Sequence, residues 1–200
     1  MHRWTWGTLS ATALAMTMVA TAGAQPLDRA AKSNMSGLSA GLHFNTSAIR
    51  SLEDGTDMGG GAGLRISYGL NQTVAFYFAT DVATLSAKLF DYSVSHTDFG
   101  LRFSLANSTS VMVPYVEGAY ARRAWYQEAY SNEKAFMGNS ATLGGGIQHF
   151  VNPNIALDAG VLFSYGTFTD AKVNGASVPV RSGDAIWSSR FNLGLRRYLR

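Results

Sequence analysis

Few side chains in this 200-residue chain are equipped for chemistry, and their order along it narrows what they can do. Beyond residue 24 the histidines are His43, His96 and His149. Ser95, His96 and Asp98 are near enough in sequence to suggest a nucleophile, a base and an orienting carboxylate. In an extended chain, however, successive side chains point to opposite sides, so Ser95 and His96 cannot share a proton. Cysteine is absent, which removes disulfides, thiolate zinc sites and thiol nucleophiles. No histidine pair has metal-ligand spacing, and Glu53, Asp54 and Asp57 lack the regular spacing of a calcium loop. No catalytic, metal or cofactor site is therefore expected. What remains is ionic: Arg65, Asp81, Asp98, Arg102, Glu117, Asp158, Arg190 and Arg196, four acids and four bases set within apolar segments.

The segments that carry these charges alternate with period two. Leu38, Ala40, Leu42, Phe44 and Thr46 share one face, while Ser39, Gly41, His43 and Asn45 share the other. The pattern recurs through 62–68, 74–82, 99–105, 112–120, 141–147, 155–165 and 187–199, which predicts eight strands and no amphipathic helix. The connections are expected at 48–60, 69–72, 84–91, 106–110, 123–138, 151–154 and 167–185, long and short in turn. Turn residues mark the short ones, as in Asn152-Pro153-Asn154. An even number of antiparallel strands, with short turns at one end and long loops at the other, is the pattern of an outer-membrane barrel.

Composition agrees. Charged residues make up only 14% against 46% hydrophobic, which argues against disorder, and 21 glycines exceed the usual share. The chain opens with Arg3, runs through a short apolar stretch and reaches Ala22-Gly23-Ala24, the form of a cleaved secretory signal peptide over 1–24. Thr8, Ser10, Thr12 and Thr17 interrupt that stretch too soon for a spanning helix. A polar leader at 25–36 and one barrel domain at 37–200 follow. A formal charge of +3, one of it in the signal segment, is too small to imply a nucleic-acid partner.

A soluble barrel would also alternate, so which face meets lipid must be argued. The charged face is otherwise very small, with Gly41, Gly63, Gly100, Gly144, Gly146, Gly160 and Gly194, as a crowded interior requires. The apolar face carries large residues on every strand, more than eight strands can enclose. Its aromatics fall into two groups: Tyr68, Phe76 and Phe103 toward the short turns, and Phe44, Tyr120, Tyr165 and Trp187 toward the long loops. Its strand interiors hold one charge, Arg197. The expected fold is therefore an all-β, closed, antiparallel, up-and-down eight-stranded transmembrane barrel with apolar residues outward. The enclosed charges must then pair, Asp158 with Arg196 and Glu117 with Arg102, assisted by Tyr77, Tyr115, Gln148, Asn192 and His96. Arg122, Arg123, Trp125 and Tyr126, in the third long connection and its approach, are candidates for contact with lipopolysaccharide phosphates or with a host or environmental surface. The reading preferred for them is an interfacial belt with its ordinary cations.

The segments GGGAGLRISYGLNQTVAFYF (59–78), SHTDFGLRFSL (95–105), VPYVEGAYA (113–121), ATLGGGIQHFVNPNIALDAGVLFSYG (141–166) and FNLGLRRYL (191–199) resemble the small eight-stranded outer-membrane barrels, the OmpA membrane-domain and OmpX-like family. The resemblance implies insertion by the barrel-assembly machinery, contact with outer-membrane lipid and lipopolysaccharide, periplasmic termini and surface loops. Family members commonly finish on an aromatic residue, whereas this chain ends Tyr198-Leu199-Arg200, and the resemblance covers no periplasmic tether. The function it implies is structural or surface-interactive and non-enzymatic. Two alternatives stand: a small-solute or ion porin, although wide pores need more strands, and a lipid A-modifying enzyme, which the fold also hosts.

Overall fold

The computed structural model describes residues 33, 35–51, 55–86, 91–106, 110–129, 132–174, 176–178 and 185–199. The expected signal peptide, residues 25–32 of the leader, and Glu53 and Asp54 lie outside the described residues. The strands are β1 (Gly37–Ser51), β2 (Gly55–Gly69), β3 (Val74–Ser86), β4 (Asp91–Ser104), β5 (Met112–Ala129), β6 (Asn132–Asn152), β7 (Ile155–Val173), β8 (Ala176–Val178) and β9 (Ala185–Tyr198). Each of β1 to β7 pairs antiparallel with the next, β7 pairs with β9, and β9 returns to β1. Eight strands thus close an up-and-down barrel, and the three-residue β8 adds to the upper end of β7.

Period-two sequence makes this wall because it sorts side chains by face. Leu42, Phe44, Leu64, Phe78, Phe99, Leu143 and Phe163 stand outward and exposed, Phe44 at 77% and Leu143 at 70%. Arg65, Asp81, Asp98, Arg102, Glu117, Arg190 and Arg196 are buried in the lumen. Apolar residues on the outside and ions on the inside form the arrangement of a lipid-embedded barrel. Tyr165 and Trp187 touch on the outer wall with ring centroids 4.6 Å apart, part of the upper aromatic belt.

The strands run well past the ends expected from sequence. Much of 48–60, 123–138 and 167–185, and the described part of 84–91, is strand, so Phe44, Tyr120 and Tyr165 lie partway along the wall, while Trp187 stays two residues from the start of β9. Above the belt the polarity reverses. Thr46, Arg50, Thr56, Thr84, Arg122, Thr167 and Lys172 face outward and exposed, while Ile49, Ala83, Leu85, Tyr92 and Val94 pack inside against Trp125 and Phe168. That is the pattern of a wall in water, so the barrel continues beyond the membrane as a rim with its own apolar core. The opposite mouth holds a second apolar cluster of Met35, Val113, Phe150, Ala156 and Tyr198. Met35 belongs to the leader, and its backbone N–H donates to Gln72 Oε1 at 3.1 Å.

Candidate functional site: the luminal ion network

Between these apolar ends the lumen holds two ionic layers. The layer nearer the short turns is built from β2, β4, β5, β7 and β9. Arg65 donates through Nη1 and Nη2 to Glu117 Oε2 and Oε1 at 2.8 and 3.0 Å, a bidentate pair. Arg102 donates to Glu117 Oε2 at 2.8 Å and, through Nη1, to Asp158 Oδ2 at 2.6 Å. Arg196 lies 3.0 Å from the same Asp158 oxygen. Tyr115 donates to Asp158 Oδ1 at 2.6 Å, Gln148 to Oδ2 at 3.1 Å, and Tyr198 to Gln148 Oε1 at 3.1 Å. Two guanidinium groups also lie over aromatic rings, Arg65 on Tyr77 at 4.3 Å and Arg102 on Tyr115 at 3.5 Å.

The glycines of the inner face are what let these groups meet. A Cβ at Gly160 would stand 2.4 Å from the Tyr115 hydroxyl, and one at Gly63 would stand 2.1 Å from Asp81 Oδ1. The free space left among Arg65, Arg102, Tyr115, Glu117, Asp158 and Arg196 amounts to about 20 Å³, room for roughly one water.

The second layer lies toward the rim. Arg190 donates to Asp81 Oδ2 at 2.5 Å and to Asp98 Oδ2 at 2.6 Å, and His43 bonds Asp81 through Nε2. Asp98 therefore pairs with Arg190 and does not join Glu117. Tyr77 Oη, His96 Nε2 and Asn192 Oδ1 have no hydrogen-bond partner among the described residues. Buried His96 and partly exposed Ser95 take opposite faces of β4, and His149 is exposed on β6 near the short turn.

The structure divides the four residues expected at a surface loop. All lie on β5, where Arg122 and Tyr126 point outward, but Arg123 is buried in the lumen and Trp125 packs against Tyr92 and Phe168. Arg123 and Trp125 are thus luminal, because the alternation that places Tyr115 and Glu117 inside continues unbroken through 125. That parity was the available signal. The side chains of Glu128 and Tyr130 lie outside the described residues. Among the described residues no group of three or more His, Asp or Glu is placed to hold a metal ion.

The fold is that of the small transmembrane barrels found in bacterial outer membranes. It matches the crystal structure of neisserial surface protein A with a TM-score of 0.68 at 16% identity, covering 82% of this chain and 98% of that one. It matches Ail, the attachment invasion locus protein of Yersinia pestis, with a TM-score of 0.53 at 15% identity over 81% and 99%. For OprG of Pseudomonas aeruginosa the values are 0.52, 11%, 84% and 98%. No family model and no curated protein matches the sequence.

Proposed function

We propose that this protein is a non-enzymatic resident of the bacterial outer membrane that supports envelope integrity or presents its rim to an external surface. In this reading residues 1–24 direct export and are removed, and the barrel-assembly machinery inserts the wall. The observation that carries it is the reversal of polarity along the strands: apolar outside within the belt, polar outside above it. A soluble exported barrel has no use for that reversal. Arg122 on β5 and Lys172 on β7 point outward above the belt and suit lipopolysaccharide phosphates. The ion-filled lumen supports a structural plug over a solute path, since the cavity among Arg65, Arg102, Glu117 and Asp158 holds about one water.

The test is fractionation of expressing cells followed by gel migration with and without boiling, together with planar-bilayer recordings. Recovery in the outer-membrane fraction, a heat-dependent shift and no steady current are expected. Recovery in the aqueous fraction overturns the membrane reading, and steady channels move the function to the porin alternative. Altered lipid A masses on expression would make it an enzyme.

A further inference from the structure

The rim side of the lumen contains a cation that no described residue hydrogen-bonds. Arg123 is 3% exposed, and its Nε, Nη1 and Nη2 all lack a hydrogen-bond partner among the described residues. Its neighbours share the deficit. His96 is directly opposite on β4 in the strand ladder, and its Nε2 is unpartnered. Trp125, two residues along the same inner face, has an unpartnered Nε1, and Arg190 has an unpartnered Nε although its terminal nitrogens are engaged. Ser188, two residues before Arg190 on β9, adds an unpartnered hydroxyl. The acceptors without a partner among the described residues here are Asp98 Oδ1 and Asn192 Oδ1, the latter two residues beyond Arg190 on β9.

A guanidinium enclosed without a partner costs several kcal/mol, so this cluster of groups calls for a complement. Water brings two donors of its own into a space already rich in donors. An anion brings acceptors only. The apolar rim cluster of Ile49, Leu85, Val94, Trp125 and Phe168 lies above and disfavours large, strongly hydrated ions. The geometry points to a binding site for a small monovalent inorganic anion of the halide class, held by Arg123 with support from His96 and Trp125. Such an ion accepts hydrogen bonds from Arg123 as Glu117 and Asp158 accept them from the arginines one layer below. It acts as a removable part of the lumen packing, so barrel stability depends on which anion the medium supplies.

The test uses the refolded protein in two experiments. Crystals soaked in bromide are examined for anomalous scattering, and a peak within hydrogen-bond distance of the Arg123 guanidinium is expected. A water at that place, or a direct Arg123–Asp98 ion pair without a peak, overturns the proposal. Heat-unfolding midpoints read by gel migration are then compared in sodium chloride and in sodium gluconate. The native midpoint is expected to be about 3 °C higher in chloride. Arg123→Met loses that difference, and Arg122→Met, altered on the outer face of the same strand, keeps it. Equal native midpoints, or a chloride effect that survives Arg123→Met, overturn the site. Either failure leaves the outer-membrane reading intact, because fractionation and the boiling shift do not depend on the anion.

Discussion

At the scale of residues, the lumen is held by charges that are expensive singly and tolerable together. Glu117 accepts from both Arg65 and Arg102, so Glu117→Gln leaves two buried guanidinium groups sharing a neutral amide. Breaking a buried pair from one side costs about 3–5 kcal/mol. Urea unfolding of the barrel in lipid is expected to show a loss of that order. The joint replacement Arg65→Met with Glu117→Leu should cost less than the two single changes together, because no charge of that pair is orphaned. Steric fit makes a second test. Gly160→Ala places a methyl 2.4 Å from the Tyr115 hydroxyl and disturbs its 2.6 Å bond to Asp158. The expected cost is about 1–3 kcal/mol. Tyr115→Phe, which removes the clashing oxygen, should absorb most of it in the double variant. Gly60→Ala serves as the control, since its Cβ meets only Asn45 O at 3.7 Å and should be close to neutral.

At the scale of elements, the strands have two solvents, and this decided what could be read from sequence. Within the membrane the apolar set is outward and continuous, so Leu38 to Phe44 or Phe99 to Phe103 declare their strands plainly. The opposite set, Arg65 through Arg196, follows by parity alone. Above the belt the two sets exchange faces: Thr84 and Ser86 point out while Ala83 and Leu85 point in. A search for apolar residues on one unbroken face stops at that exchange and assigns the remainder to loops, which is how Arg123 and Trp125 came to be expected at the surface. The cross-barrel bonds of His43 and Arg190 to Asp81 depend on barrel tilt and closure, which no local pattern encodes. The absence of cysteine gives a direct check on the exchange. Single cysteines at Thr84, Arg122 or Thr167 are expected to react with a membrane-impermeant maleimide on whole cells, and those at Leu64, Phe78 or Leu143 to stay unlabelled. A charge distinguishes the zones in energy as well. Leu143→Arg should cost about 2–4 kcal/mol or block insertion, whereas Thr167→Arg should assemble normally.

At the scale of the whole molecule, the lumen is closed four times over: by Met35 and its apolar partners, by the two ionic layers, and by the rim cluster. Two layers seal by apolar packing and two by ion pairing, so a change that loosens one leaves the others in force. Met35→Ala removes packing from the leader against Val113, Phe150 and Tyr198 and is expected to lower stability by about 2–5 kcal/mol. It should still give no steady current in planar bilayers, because Arg102 continues to bridge Glu117 and Asp158 immediately above. Arg102→Ala alone should likewise stay closed, with Arg65 still gripping Glu117 and Arg196 still gripping Asp158. Current is expected only when layers are opened together, as in Met35→Ala combined with Arg102→Ala and a rim change such as Trp125→Ala. If either single variant conducts steadily, the closure is serial and fragile, and the barrel is better regarded as a channel held shut by one gate.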